Sequence, residues 1–387
     1  MRLLFVHWNS DLYGASRSLW RLTRRLAQDK HDVRVVVGSE GPLVALLQEE
    51  GVTVEVFPRL AAMERSCFRS PAALWDWLQR SRATRAHLTQ LLASWKPDLI
   101  HSNTSVLNAN AGAARKAGVP HVWHLRETFT EFPALWRFYR PWMQRGATRI
   151  INISNSVAAQ FPPSTPPELL QTIYNGIPSD DIQPPTVTEQ AELKARFNLS
   201  ADTLTVGVVG RIKRVRKGQE TLIEAAALLA PKNPNVRFVV VGSPYPGNES
   251  HLEALQADIK RLGLEDRVLL IGDLPSTKEI MALLDIVVMP SALPEPFGNV
   301  TVEAMAAARP VVGSHIGATP EIIEDGVSGL LFPPQDATAL AQHLERLIAD
   351  PALRQKMGHD ARERFLAQFT FDRTYRELMA CYTTITS

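Results

Sequence analysis

The chain has 387 residues, 45% hydrophobic and 21% charged, a globular balance that excludes a disordered or fibrous chain and gives length for two domains with separate cores. Its two cysteines, Cys67 and Cys381, stand far apart with no CxxC and no His-rich partner, which argues against a disulfide framework or structural zinc and for reduced thiols in a cytoplasmic protein. The net charge is only +2, yet residues 1–175 carry 21 Lys and Arg against 13 Asp and Glu while the remainder carries 21 against 27, so the halves are expected to meet different ligands, nucleic acid not among them.

The opening residues, MRLLFVHW, lose their apolar run within six residues and show no small-residue cleavage site, so they read as a buried strand and not as a signal peptide. No run approaches the roughly eighteen apolar residues a spanning helix needs. The chain is therefore expected to be soluble, or peripheral at the inner face of a membrane. In SRSLWRLTRRLAQ, Leu19, Leu22 and Leu26 recur at i, i+3 and i+7, which predicts a helix. Helical segments like it separate the predicted strands LLFVHW, VRVVV, VTVEVF, DLIHS, HVWHL and RIINIS. A proline-rich polar stretch from Phe161 to Ile182 follows, with the hinge expected at Gly176–Gln190. A second strand series then runs through LTVGVVG, VRFVVVG, VLLIG, IVVMP and PVVGS.

This alternation predicts an α/β protein of two facing Rossmann-like domains, residues 1–178 and 179–370, with a deep cleft between them. Ligand crevices are expected at the carboxyl ends of the strands. The last segment, FTFDRTYRELMACYTTI in residues 371–387, has helical spacing and is expected to cross back to the first domain.

Candidate site residues follow the chain. DLYGASRSLWRL, after the first strand, offers Gly14 at a helix start with Ser16 and Ser18 nearby; it lacks G-x-G-x-x-G, which weakens a dehydrogenase reading. DLIHSNTSV supplies Asn103 and Thr104, with His101 before them read as structural. In VWHLRETF, His124 and Arg126 alternate at a strand end and Glu127 follows; a lone histidine there is also a common structural residue. Arg65, Arg69, Arg80, Arg82 and Arg85 beside Trp75 and Trp77, and Trp136, Tyr139 and Trp142 in LWRFYRPWMQR, suit an interfacial surface or an anionic, lipid-linked acceptor. They equally suit helices with buried aromatics and solvated arginines.

In the second half, VGVVGRIKRVRKGQETLIEAA places Arg211 and Lys217 between a strand ending at Gly210 and an amphipathic helix, the two cations a diphosphate needs. Lys213, Arg214 and Arg216 read as mainly solvated. Gly242 and Gly272 end strands and either bound a base pocket or simply turn the chain. PSALPEPFGNVTVEAMAAARPVV starts a helix near Asn299. The amides of Gly298, Asn299, Val300 and Thr301, with Phe297 before them, can hold a phosphate. Glu295 and Glu303 flank that turn as acceptors for sugar hydroxyls. The alternative is a solvated Glu295 and a helix-capping Glu303.

The E-x7-E spacing of Glu295 and Glu303 within EPFGNVTVEAMA resembles the signature of the retaining glycosyltransferases of family four, which have the GT-B fold. The resemblance implies that Glu295 contacts the donor sugar, Glu303 the nucleotide ribose, and Arg211 and Lys217 the diphosphate. It further implies a nucleotide-side wall of Gly317, Thr319 and Glu321, and a donor-sugar contact from His124. Asn103, Thr104, Arg126 and Glu127 would then serve the acceptor. The chain departs from the family where Gly14 lacks an adjacent glycine, and where Ile316 or Ala318 replaces a second glycine beside Gly317.

The implied activity is transfer from a UDP- or GDP-sugar to a carbohydrate or lipid-linked acceptor hydroxyl with retention, in polysaccharide, lipopolysaccharide or glycolipid assembly. No Asp-x-Asp or His-rich cluster stands at a strand end, so no metal and no cofactor is expected. A double-Rossmann nucleotide-sugar epimerase and a non-catalytic nucleotide-sugar-binding protein are the rival readings.

Overall fold

The computed structural model of the chain describes residues 1–129, 131–274 and 276–387. Their contacts divide them into two compact units, Met1–Tyr174 with Tyr375–Ser387, and Asn175–Thr374.

The first unit holds seven parallel strands: β1 (Arg2–His7), β2 (Asp32–Val37), β3 (Thr53–Val56), β4 (Leu99–Ser102), β5 (His121–Leu125), β6 (Arg149–Asn152) and β7 (Leu170–Thr172). They lie in the order β3-β2-β1-β4-β5-β6-β7. The order reverses between β1 and β4, and a parallel sheet opens a ligand crevice beyond the carboxyl ends at such a point. Leu3 to Val6 of β1 have no exposed surface, as a central strand covered on both faces requires. The helix Gly14–Gln28 buries Leu19, Leu22 and Leu26, the stripe its spacing predicts. Strand β7 was not among the predicted strands. It has three residues, LQT, and no readable alternation; its ladder with β6, Ile150 opposite Leu170, makes it a strand.

The second unit holds six: β8 (Leu204–Val209), β9 (Val236–Val241), β10 (Val268–Gly272), β11 (Ile286–Met289), β12 (Val311–Ser314) and β13 (Gly329–Phe332), in the order β10-β9-β8-β11-β12-β13. Here the order reverses between β8 and β11. Val206, Val208, Phe238, Val288 and Phe332 from the strands pack with Leu222 and Leu344 from the helices into one core. Strand β13 is also additional to the predicted series, because its GLLF lies within a stretch that reads as a turn.

The boundary between the units lies at Tyr174, before the predicted residue 178. The Ile177 amide donates to Phe369 O at 3.1 Å and the Phe371 amide to Ile177 O at 2.9 Å. A Cβ on Gly176 would stand 2.3 Å from Thr370 O. These contacts tie the start of the predicted hinge into the second unit. The helix Phe371–Thr386 groups with the first unit from Tyr375 onward. There it buries Leu378, Cys381 and Tyr382, and burial raises the Cys381 thiol to about 11. Such a thiol is inert. Among the described residues no helix is long and apolar enough to cross a membrane.

Candidate active site

Three segments far apart in the chain meet at the carboxyl ends of β8, β11 and β12. Gly210 leaves β8 at φ +142, and Gly218, at φ +66, opens the helix Gln219–Leu229. A Cβ on Gly218 would lie 1.9 Å from Pro290 O, so only glycine lets this turn close on the β11 end. The closure delivers Lys217, whose Nζ donates to Glu295 Oε1 at 2.7 Å; Ser291 Oγ donates to the same oxygen at 3.0 Å. Glu295 is 9% exposed. Its backbone is fixed as well, since its carbonyl accepts from the Ala318 amide at 3.1 Å. Gly317, at φ +63, would drive a Cβ to 2.6 Å from Glu295 N and O.

The Arg211 guanidinium lies over the Tyr245 ring, 4.9 Å from its centroid, and the Arg211 carbonyl accepts from Gln219 Nε2 at 2.9 Å. Arg214, read from sequence as a solvated cation, is instead paired with Asp258 at 2.8 Å. The helix Asn299–Ala306 begins at Gly298, at φ +108, with no side chain capping it. Uncapped first-turn amides with the helix dipole behind them attract an anion. Thr301, in that turn, is buried and its hydroxyl has no partner. Val300 and Glu303 are half-buried on the same short helix.

Phe297 is 3% exposed and its ring lies 6.2 Å from the Phe369 ring, so its side chain supports the loop as core. Gly242 and Gly272 pack strand ends: the Gly242 amide donates to Gly272 O at 2.7 Å, and a Cβ on Gly242 would stand 2.2 Å from Gly210 O. Thr319 is buried and Glu321 half-buried in the next short helix.

The first unit gathers its polar residues into one buried network beyond β1, β4 and β5. Asp11 Oδ1 accepts from the Tyr13 amide at 3.0 Å and from Ser16 Oγ at 2.7 Å, shaping the turn in which Gly14 starts the helix. His7 Nε2 donates to Ser16 Oγ at 2.9 Å, and His7 Nδ1 accepts from Asn103 Nδ2 at 3.2 Å. That tautomer is neutral, and burial lowers His7 to about 4. Asn103 Nδ2 also donates to Ala15 O, while Asn103 Oδ1 accepts from Arg126 Nη2 at 3.2 Å. The Asn103 amide is thus bonded within this network.

Glu127 Oε2 accepts from Ser105 N, Ser105 Oγ and Arg126 N, and burial raises its carboxyl above the usual range. Arg126 Nη2 donates to His124 Nδ1 at 3.3 Å. The Nε2 of His124 therefore bears the proton, and it is buried without a partner. Burial first, and then the Arg126 charge, keep His124 neutral. His101 is held through Nδ1 by the Tyr382 hydroxyl at 2.7 Å, a structural setting. The Thr104 hydroxyl is buried and unpartnered. His7, Asp11 and Tyr382 escaped the sequence reading because their partners lie on other elements and no local spacing marks them.

Two family models match the chain: Glycosyltransferase Family 4 over residues 13–181 and Glycosyl transferases group 1 over residues 189–364. The chain is 28% identical to D-inositol 3-phosphate glycosyltransferase of Stackebrandtia nassauensis, covering 96% of this chain and 87% of that protein. It is 27% identical to the alpha-maltose-1-phosphate synthase of Mycobacterium tuberculosis, covering 81% and 88%. The crystal structure of Anabaena HepE in complex with UDP superimposes with a TM-score of 0.86 at 26% identity, over 99% of this chain and all of that one. This chain is a GT-B glycosyltransferase.

In this glycosyltransferase the two aromatic segments behave differently. Trp136 and Tyr139 are buried in a cluster with Trp123 and Phe129, so these two LWRFYRPWMQR aromatics are core, while Trp142 is half-buried and Phe138 is 79% exposed. The helix Pro71–Trp95 instead exposes Leu74, Trp75 and Leu78, with the Arg82 guanidinium 5.9 Å from the Trp75 ring. Among the described residues of the glycosyltransferase, no group of three or more His, Cys, Asp and Glu is placed to hold a metal ion.

Proposed function

We propose that this glycosyltransferase moves a sugar from a UDP- or GDP-sugar to an acceptor hydroxyl with retention of anomeric configuration and without a metal. The observation that carries the reading is the Lys217–Glu295 pair at the β8 and β11 ends, beside a loop that runs into an uncapped helix start. An ammonium has three protons. Lys217 can hold Glu295 with one and a phosphate oxygen with another. Arg211, stacked on Tyr245, adds a planar fork for the same diphosphate.

In this reading the first-turn amides and the Thr301 hydroxyl hold a phosphate, and the charge that grows on the leaving diphosphate is stabilised electrostatically. Glu295, anchored through one oxygen, keeps the other for donor-sugar hydroxyls, and Glu303 takes the ribose. The neutral His124 donates a hydrogen bond from its unpaired Nε2–H to a sugar oxygen. HepE was solved with UDP and with UDP-glucose, which supports a uridine nucleotide. Retention rests on the family resemblance, with the acceptor attacking from the leaving-group face and the departing phosphate taking its proton. The acceptor is a carbohydrate or a lipid-linked carbohydrate.

The test is calorimetry with UDP-, GDP-, ADP- and dTDP-sugars in EDTA, followed by mass spectrometry and anomeric NMR of the product made with the best donor. A binding donor that yields only nucleotide release, or an inverted product, would overturn the reading. A Glu295→Ala enzyme of unchanged turnover would do the same.

A further inference from the structure

Next to the His124–Arg126 network, the first unit contains a cavity of about 650 Å³. That volume lies within the roughly 300–1,000 Å³ of small-molecule sites. Trp8, Met63, Phe68, Phe129, Phe132 and Leu135 form most of its wall. Glu127 also lines it, and Glu127 binds the Arg126 amide, so the cavity adjoins the residue that holds His124. A bare sugar enclosed there would need a hydrogen-bond partner for each buried hydroxyl, at a cost of roughly 1–3 kcal/mol for each one left unmet. The wall offers few. One oxygen of Glu127 already has three donors, and Arg65 is paired with Glu131 at 2.8 Å while covering the Phe132 ring at 4.5 Å.

The cavity also has an apolar way out. Phe68 is 50% exposed, its ring lies 6.3 Å from that of Trp77, and the helix Pro71–Trp95 that carries Trp77 also exposes Leu74, Trp75 and Leu78 within one turn. Scattered exposed apolar residues need no explanation, but a contiguous set leading from an apolar cavity marks a binding surface.

We infer that the acceptor is amphipathic and lipid-linked, with the first part of its alkyl chain seated in this cavity and its hydroxylated head presented beside His124. This narrows the acceptor class and rests on the transferase reading above. A purely hydrophilic glycan would leave the cavity wall unmatched. A longer chain would continue along the exposed apolar residues of the helix.

The test compares calorimetric binding of monomeric n-octyl β-D-glucoside, below its micelle concentration, with that of glucose, and titrates UDP in parallel. Octyl glucoside should bind at least tenfold tighter than glucose. The Phe68→Ser/Phe132→Ser double variant should lose at least fivefold of that affinity. Val106→Phe, which fills the cavity from its half-buried lining without making it polar, should lose a similar factor while its thermal melt stays intact. Equal or absent binding of the two glucosyl probes by an enzyme that still binds UDP would overturn the inference alone. So would adsorption to phosphatidylglycerol vesicles with no binding of the monomer, which would assign the apolar residues to a membrane surface. Absence of binding to every nucleotide would remove the transferase reading itself.

Discussion

The ammonium of Lys217 lies 2.7 Å from Glu295 Oε1, although the two residues leave different strands. Lys217 ends the turn after β8, and Glu295 stands in the loop after β11. Their side chains are 29% and 12% exposed, so each is the main counter-charge of the other in a partly dry setting.

Glu295→Gln keeps the shape of this contact and removes its charge. Loss of one preorganised electrostatic contact lowers turnover by about a hundredfold or more, and kcat is expected to fall on that scale while UDP affinity stays within about threefold. Lys217→Met acts on both. It should weaken UDP binding and leave the Glu295 carboxylate underpaired, at about 1–3 kcal/mol of stability, toward the low end because Lys217 is part-exposed. Nucleotide calorimetry and thermal melting of the two variants check this.

Arg211 and Arg214 stand three residues apart, yet they should behave differently. Arg211→Ala is expected to raise the UDP dissociation constant about tenfold, or roughly 1.4 kcal/mol. Arg214→Ala should change it less than about twofold, because its guanidinium is turned to Asp258. Equal losses in the two variants would contradict this assignment.

Four buried histidines set an acid limit for the first unit. Burial lowers His7 and His121 to about 4, and His101 and His124 well below their ordinary value. An unfolded imidazole titrates near 6.5. Between these values the unfolded chain binds more protons, so stability is full above about pH 6.5 and falls as the pH drops, by up to about 1.4 kcal/mol per pH unit for each histidine. Glu127, raised by burial, works in the opposite direction, one group against four. All eight tryptophans lie between Trp8 and Trp142, so tryptophan fluorescence follows this unit. A melting temperature that stays level from pH 7 to pH 4.5 would refute the account.

Gly317→Ala tests how the Glu295 loop is seated. The new methyl would meet Glu295 N and O at 2.6 Å from a backbone at φ +63, a strain of about 1–3 kcal/mol. Activity should fall at least tenfold as the carboxylate shifts, in a protein that still melts cooperatively. Gly247→Ala is the control. It also sits at positive φ, +86, but meets nothing within 4 Å, so it should carry backbone strain without loss of activity.

How much of this was legible in the sequence differs between the two units. In the second unit, Glu295, Arg211 and Lys217 each sit in a strand–turn–helix segment whose glycines and apolar runs mark it locally, and the chemistry of a diphosphate selects those residue types. In the first unit, His7, Asp11, Asn103, Arg126 and Tyr382 come from separate elements. No residue carries a local sign of the partner it will find there, which is why the bonds of Asn103 to His7 and Arg126 could not be read from its neighbours in sequence.

The alternation of short β-rich runs with helical periodicity is a property of neighbouring residues, and by itself it determined two α/β units and the segments facing their crevices. What only the tertiary structure decided depends on distant parts of the chain. The ladder that makes LQT a strand, the Asp258 partner that takes Arg214, the ring contact that packs Phe297 into core and the wall of the apolar cavity each join residues brought together by folding. Packing and pairing energies act between such residues, and their identity at one position carries no record of its partner at another.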